Sequence, residues 1–430
     1  MATPELETAK DLLQFLDASP TPYHACGEAA KRLQANGFQP LEETQAWPGG
    51  SGRFFCRRGG SLLAWAVPEN CEASAGFRIL GAHTDSPNLR LKPQPDRKSA
   101  GWSQLGVEVY GGVLLNSWLD RDLGLSGQIW LRSASGPRVE LFRIDRPILR
   151  VPQLAIHLNR EIYSEGLQLN KQQHMAPVWG LQSPSMPGLR RVLADLVGVA
   201  EGDVLSWDAM CHDLVPATLG GLQDEFVFGP RLDNLCSSHG ALSALQRRLD
   251  QETPPAQIPV VSLFDHEEVG SASNRGADSP LLGDLLERIV IGLGGDRESY
   301  HRAIANSICV SADMAHATHP NYAEKHEPNH TVQINGGPVI KINQNLRYAS
   351  EGETEAMFQA ACEAAQVPVQ KFVNRSDLAC GSTIGPLTAA RLGIRTVDVG
   401  SAQLSMHSIR EMCGSKDPEW MIRAMTTFLT

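Results

Sequence analysis

Apolar positions along the chain change period twice. Over residues 4–36 they recur at helical spacing, with Leu6, Leu12, Leu13, Phe15 and Leu16, then Ala29, Ala30 and Leu33. The run is broken at "SPTPYH", which predicts a helix on either side. Strand-like runs follow at "FFCRR", "SLLAWAV" and "FRILGAHTD". After about residue 230 the two patterns alternate. Helices are predicted at "LCSSHGALSALQRRL", "SPLLGDLLERIVIGL", "TEAMFQAACEAAQ" and "GPLTAARLG", with a final helix at the end of the chain. Strands are predicted at "PVVSLFD", "SICVSADMAHA", "PVIKINQN", "VPVQKFV" and "IRTVDVG". Such alternation predicts an α/β layered core.

The intervening stretch reads differently. "GVEVYGGVLLNSWLDRDLGLSGQIWLRS" and "RVELFRIDRPILRV" are β-branched, glycine-punctuated runs with no helix expected between them. This predicts one α/β domain, residues 1–90 and 230–430, split by an inserted β-rich domain over 91–229.

Composition narrows the class of partner. A 430-residue chain with net charge −10 is a poor match for nucleic acid or an anionic membrane surface. No run approaches the ~20 apolar residues of a membrane helix. The opening "MATPELETAKDLLQFLDASPTPYHA" lacks a basic segment followed by an apolar one, so no signal peptide is expected. The nine cysteines are scattered without a CxxC pair, the usage of reduced thiols in a cytoplasmic protein.

Metal-capable side chains stand where apolar or turn segments end. "RILGAHTDSP" supplies His83 and Asp85, and "GPRLDNLCS" supplies Asp233 ahead of a helix. "VVSLFDHEEVGS" delivers Asp265, His266, Glu267 and Glu268 at the end of a buried strand. "ICVSADMAHATHP" brings Asp313, His316 and His319, and "GSAQLSMHSIREM" brings His407, read as lying near the start of the last helix. In open α/β sheets, loops from distant segments converge at the carboxyl ends of strands.

Singly, each has an ordinary reading. A histidine after a strand is more often a loop or capping residue than a ligand, and an Asp before a helix is usually an N-cap. The run of His316, His319, His326 and His330 lies in a Pro-, Asn- and Glu-rich stretch and reads as a surface or substrate-lining loop. Together they say more. Adjacent carboxylates repel and are costly to desolvate unless positive charge is near. Two divalent ions sharing a carboxylate reverse that objection. Histidine and carboxylate donors without cysteine suit a hydrolytic zinc site better than a structural one. A glycosidase pair needs carboxyls about 5–10 Å apart across the substrate, which immediate neighbours cannot supply.

With these motifs assembled, the chain resembles the aspartyl aminopeptidase family of dinuclear zinc peptidases. The resemblance runs over essentially the whole sequence. It includes "GAHTDSPNLRLKP", "DRPILRVPQLAIHLNR", "FGPRLDNL", "HEEVGS", "SADMAHATHPNY", "GPVIKINQNLRYAS", "CGSTIGP" and "MHSIREM". It implies a three-layer α/β zinc-peptidase catalytic domain with a mixed sheet, interrupted by the inserted β-rich dimerisation domain.

Carried over by position, the resemblance gives His83 and Asp313 to one zinc, Glu268 and His407 to the other, and Asp233 to both. It makes Glu267 the general base, Asp85 a carboxylate orienting the His83 side, and the Asp233–Asn234 peptide cis. Manganese and cobalt tolerate the same ligands. The implied substrates are peptides with unblocked Asp or Glu N-termini. Lys341 and Tyr348 would meet the acidic side chain, although a Lys in a β-patterned run alone reads as an edge-strand gatekeeper. His157 would reach substrate in a neighbouring subunit, within a homo-oligomer built as a tetrahedral dodecamer of dimers. A metal role for His157 is less favoured, because the five ligands already complete both ions.

One position departs from the pattern. His266 stands where the resemblance leads us to expect Asn; a substrate contact and a solvent-facing residue are both open, with the second preferred. Two functional alternatives also stay open: a broader-specificity aminopeptidase or amidase of the same clan, and an inactive assembly or cargo scaffold.

Overall fold

The computed structural model describes residues 3–430, which divide into two compact units. One consists of the chain up to Asp85, Ala217–Met406 and Glu411–Thr430; the other is Ser86–Pro216 with His407–Arg410.

The larger unit is built on a mixed nine-stranded sheet. In spatial order its strands are Gln39–Pro40, Gly52–Arg58, Ser61–Val67, Ile258–Phe264, Phe77–His83, Ile308–Ala312, Arg395–Gly400, Val339–Ile342 and Gln370–Val373. The strands from Ile258–Phe264 to Arg395–Gly400 run parallel. Side chains alternate across the pleat, and the two faces feed separate clusters. Phe55, Leu62, Leu80, Val261 and Val310 pack with helices Pro4–Ala18, Leu232–Leu249, Gly352–Ala364 and Asp417–Phe428. Phe54, Leu63, Ile79, Val260 and Cys309 pack with helices Leu281–Gly292 and Arg297–Ala305. Cover on both faces explains why "SLLAWAV" and "IPVVSLF" are buried at every position. The result is a three-layer α/β unit, as expected. A small five-stranded sheet of short strands adds to it.

The other unit is β-rich. Its six strands are all antiparallel, in the order Arg138–Leu149, Leu123–Leu131, Val204–Asp213, Asn88–Ser99, Trp102–Tyr110 and Val178–Leu181. Leu123, Leu125, Ile129 and Leu131 turn one face of this sheet toward Leu189 and Leu193. Those belong to helix Leu189–Val197, which ends at Gly198 in the left-handed region. No helix was expected here, because the apolar signal spans little more than two turns. His407 differs too: strand Glu411–Gly414 separates it from the last helix, which starts only at Asp417. Among the described residues no helix is long and apolar enough to cross a membrane.

The parallel strands set where the polar residues emerge. Phe264 is in register with His83, so the turn after Phe264 lies beside Thr84 and Asp85. Asp313 continues its strand by donating its amide to Val399 O at 2.8 Å. This close passage requires glycine at 400, where a Cβ would lie 1.9 Å from the Asp313 carbonyl oxygen. Gly400→Ala should therefore lower stability by about 1–3 kcal/mol in thermal unfolding. Gly352→Ala, where a Cβ meets nothing within 4 Å, should leave it unchanged or slightly raised. A Gly400→Ala protein melting with the unaltered chain would contradict this register.

Candidate metal centre

The site is assembled from the ends of three neighbouring parallel strands and one helix start. His83 is the last residue of Phe77–His83. Glu267 and Glu268 lie in a short 3-10 turn just after Ile258–Phe264, and Asp313 follows Ile308–Ala312. Asp233 sits in the first turn of Leu232–Leu249, where the peptide to Asn234 is cis. Its amide donates to Glu411 Oε2 at 3.0 Å, while Asn234 Nδ2 donates to Ala312 O at 2.8 Å. The first bond ties the helix start to strand Glu411–Gly414, the second to the end of strand Ile308–Ala312.

His83 is the centre of the arrangement and is 1% exposed. Its Nε2 lies 3.4 Å from Asp233 Oδ1, 3.8 Å from Asp313 Oδ1 and 4.0 Å from Glu267 Oε2. Its Nδ1 faces the Asp85 carbonyl at 2.9 Å. Asp85 is wholly buried, and its carboxylate accepts the amides of Glu267 at 3.1 Å and Glu268 at 3.2 Å. Asp85 therefore orients both glutamates through its carboxylate and the histidine through its carbonyl.

Electrostatics follow from crowding and burial. Burial pushes Glu267 up to about 8, against the attraction of His83 and with the help of Asp313, Asp85 and Asp233. Burial, and next the charge of Asp233, raise Glu268 well above the carboxylate range. For His83, burial alone would favour the neutral ring, but contacts with Asp233, Asp313 and Asp85 outweigh it and raise its value well above 6.5. So much desolvated carboxylate needs protons or cations. Donor atoms of His83, Asp233 and Asp313 lie within 4.8 Å of one another, as do those of His83, Glu267 and Glu268. Convergent imidazole and carboxylate donors without a thiolate fit zinc.

Lys341 is 2% exposed. Its ammonium donates to Met314 O at 3.2 Å, lies 3.8 Å from Asp313 Oδ2 and sits 5.0 Å from the Tyr348 ring centroid. The larger unit thus brings Lys341 and Tyr348 to the Asp313 side of the cluster. The remaining candidates belong to the β-rich unit. His157 is exposed in the 3-10 turn Ile156–Leu158, and His407 Nδ1 faces Gly112 O at 3.0 Å. Of the histidines after the Asp313 strand, His319 donates its amide to His326 Nε2 at 3.0 Å, and His330 pairs with Glu327. Glu411 was not singled out beforehand. It opens the four-residue strand Glu411–Gly414, too short to mark in the sequence, and is only 2% exposed.

A three-layer α/β unit with these donors at the carboxyl ends of its parallel strands and at one helix start fits the class of zinc-dependent hydrolases. The profile of the family described as Aminopeptidase I zinc metalloprotease (M18) matches residues 15–429. A Probable M18 family aminopeptidase 2 of Streptomyces coelicolor is 53% identical over 420 residues, covering 97% of this chain and 96% of its own. The protein of the same name from Mycobacterium leprae is 50% identical over 426 residues, covering 98% of each. Among solved structures, the Ape4 and Nbr1 complex matches with a TM-score of 0.94 and 37% identity, over 100% of this chain and 87% of that one. The Saccharomyces cerevisiae mApe1 dodecamer matches with a TM-score of 0.84 and 29% identity, over 98% and 96%. The chain belongs to the M18 family of zinc metalloaminopeptidases.

The metal-free chain has a defined pH signature. His83 and Glu267 both bind protons more tightly folded than unfolded. Their contribution is complete below their ordinary values and is lost as pH rises through about 8 for Glu267. Chelated protein should therefore melt at progressively lower temperature between about pH 6 and 9. Saturating zinc should reverse that slope, since its ligands must be deprotonated. A metal-free Tm that rises over this interval would contradict the electrostatics.

Proposed function

We propose that this aminopeptidase removes unblocked acidic residues, Asp or Glu, from peptide N-termini, using two zinc ions per chain. His83 and Asp313 would hold one ion, Glu268 and His407 the other, with Asp233 shared. The convergence on His83 supports the first ligand set; family resemblance supports the second. When bound, the ions supply Lewis acidity to the scissile carbonyl and the attacking water.

The chain's own residues do the rest. Glu267 takes a proton from the attacking water and returns it to the leaving amine. Asp85 keeps the two glutamates in their separate tasks through their amides. The substrate α-amine sits against Glu268, which restricts cleavage to the first residue.

The observation that carries the acidic preference is the buried ammonium of Lys341 beside Asp313 and Tyr348. A desolvated cation attracts a substrate carboxylate and leaves an apolar side chain uncompensated. The reading extends to assembly: the chain associates through its β-rich unit into dimers and a tetrahedral dodecamer, where His157 meets a neighbouring subunit's substrate. Exposed Leu154, Leu158 and Tyr163 around His157 and the dodecameric yeast relative support this. The scattered free cysteines support a cytoplasmic setting.

Two substitutions test this reading on Asp- and Leu-anilides. Lys341→Met should cut the Asp-over-Leu ratio of kcat/KM by about 10²-fold with Leu turnover retained. Glu267→Gln should lower kcat by about 10²–10⁴-fold while zinc stays bound. Asp preference surviving the first change would refute the pocket, and activity surviving the second would refute the base.

A further inference from the structure

The turn carrying Glu267 and Glu268 is held from two sides. Asp85 holds it from within, through both amides. On the other side stands His266, which has a φ of 67° and pivots the chain out of its strand. Its amide donates to Asp265 Oδ1 at 2.9 Å, and its carbonyl accepts Ser271 N at 2.8 Å. Gly270 and Ser271 also have positive φ, 93° and 61°. Such a succession keeps its shape only where the surroundings over-determine it.

The His266 ring is part of those surroundings. Its Nδ1 lies 2.8 Å from Ser273 Oγ, and its Nε2 lies 3.1 Å from Arg275 Nη2. A guanidinium can only donate, so Nε2 accepts and the ring proton lies on Nδ1, toward Ser273. Ser273 Oγ also accepts the Gly276 amide at 3.0 Å. Arg275 Nε stands 2.9 Å from Asp265 Oδ2, and Arg275 Nη2 reaches Tyr23 OH at 3.4 Å. Asp265 is wholly buried. The tip of the hairpin between Gly52–Arg58 and Ser61–Val67 leaves room for this array. A Cβ on Gly59 would fall 2.4 Å from Arg275 Nη1, and one on Gly60 would fall 2.3 Å from Asp265 Oδ2.

We propose that His266 is a positioning residue for hydrolysis: with Asp265 and Arg275 it clamps the turn so that Glu267 meets the substrate and Glu268 meets the metal. This rests on the reading of Glu267 as the base. It predicts an effect on turnover rather than on binding, because His266 directs its ring at Ser273 and Arg275.

The test is steady-state kinetics on an Asp-anilide, with zinc per chain and circular dichroism measured on the same samples. His266→Ala should lower kcat about 10- to 100-fold, with KM within about twofold, and zinc and fold retained. His266→Asn keeps a donor near Ser273 and His266→Gln an acceptor near Arg275, so each should recover part of the loss. Gly60→Ala, which crowds Asp265, should lower kcat in the same way. The clamp is overturned if His266→Ala keeps kcat within about twofold of the unaltered chain. It is equally overturned if the loss follows zinc or fold and neither conservative variant relieves it. Glu267→Gln runs alongside: if it stays active, the base reading fails, whereas an inactive Glu267→Gln beside a fully active His266→Ala overturns the clamp alone.

Discussion

Desolvated negative charge is the constraint to which the larger unit answers. Asp85, Asp233 and Asp313 are at most 7% exposed, and Glu267 and Glu268 crowd the same imidazole. Water cannot stabilise them there, and they repel one another. In the metal-free chain protons relieve the repulsion until pH passes about 8 at Glu267. Divalent cations relieve it while leaving the carboxylates charged. The burial of these carboxylates in this chain is in that sense what calls for a cation.

Delivering those groups to one place is the work of the sheet. Parallel strands end side by side, so residues far apart in sequence emerge as neighbours, and backbone bonds then fix their approach. Gly400 allows the strand beneath Asp313 to pass closely, and Glu411 and Asn234 anchor the helix start that carries Asp233. Asp85 holds the glutamate turn from one side and the His266 array from the other. Local conformations that stand-alone peptides avoid, such as positive φ at His266, are tolerated because so many partners agree on them.

Much of this was legible beforehand, for identifiable reasons. Fully buried strands such as "SLLAWAV" announce themselves by continuous apolarity, and charged residues at their ends stand out against it. What escaped depends on contacts without a local signature. The five-stranded sheet is made of strands as short as Ala315–His316, below the length at which alternation can be read. Helix Leu189–Val197 is nine residues long and closed by a glycine cap. His266 gained partners only once Ser273, Arg275 and the Gly59–Gly60 tip were brought beside it. Glu411 is conspicuous only when its bond to the Asp233 amide is seen.

The central claim is that His83, Asp233, Glu268, Asp313 and His407 together hold two zinc ions, with Asp233 common to both. Anomalous diffraction at the zinc edge on crystals of the zinc-loaded protein tests it most directly. The account predicts two peaks about 3.5–4 Å apart, one on either side of Asp233. A single peak, or zinc gathered instead at the His319–His330 loop, would contradict it.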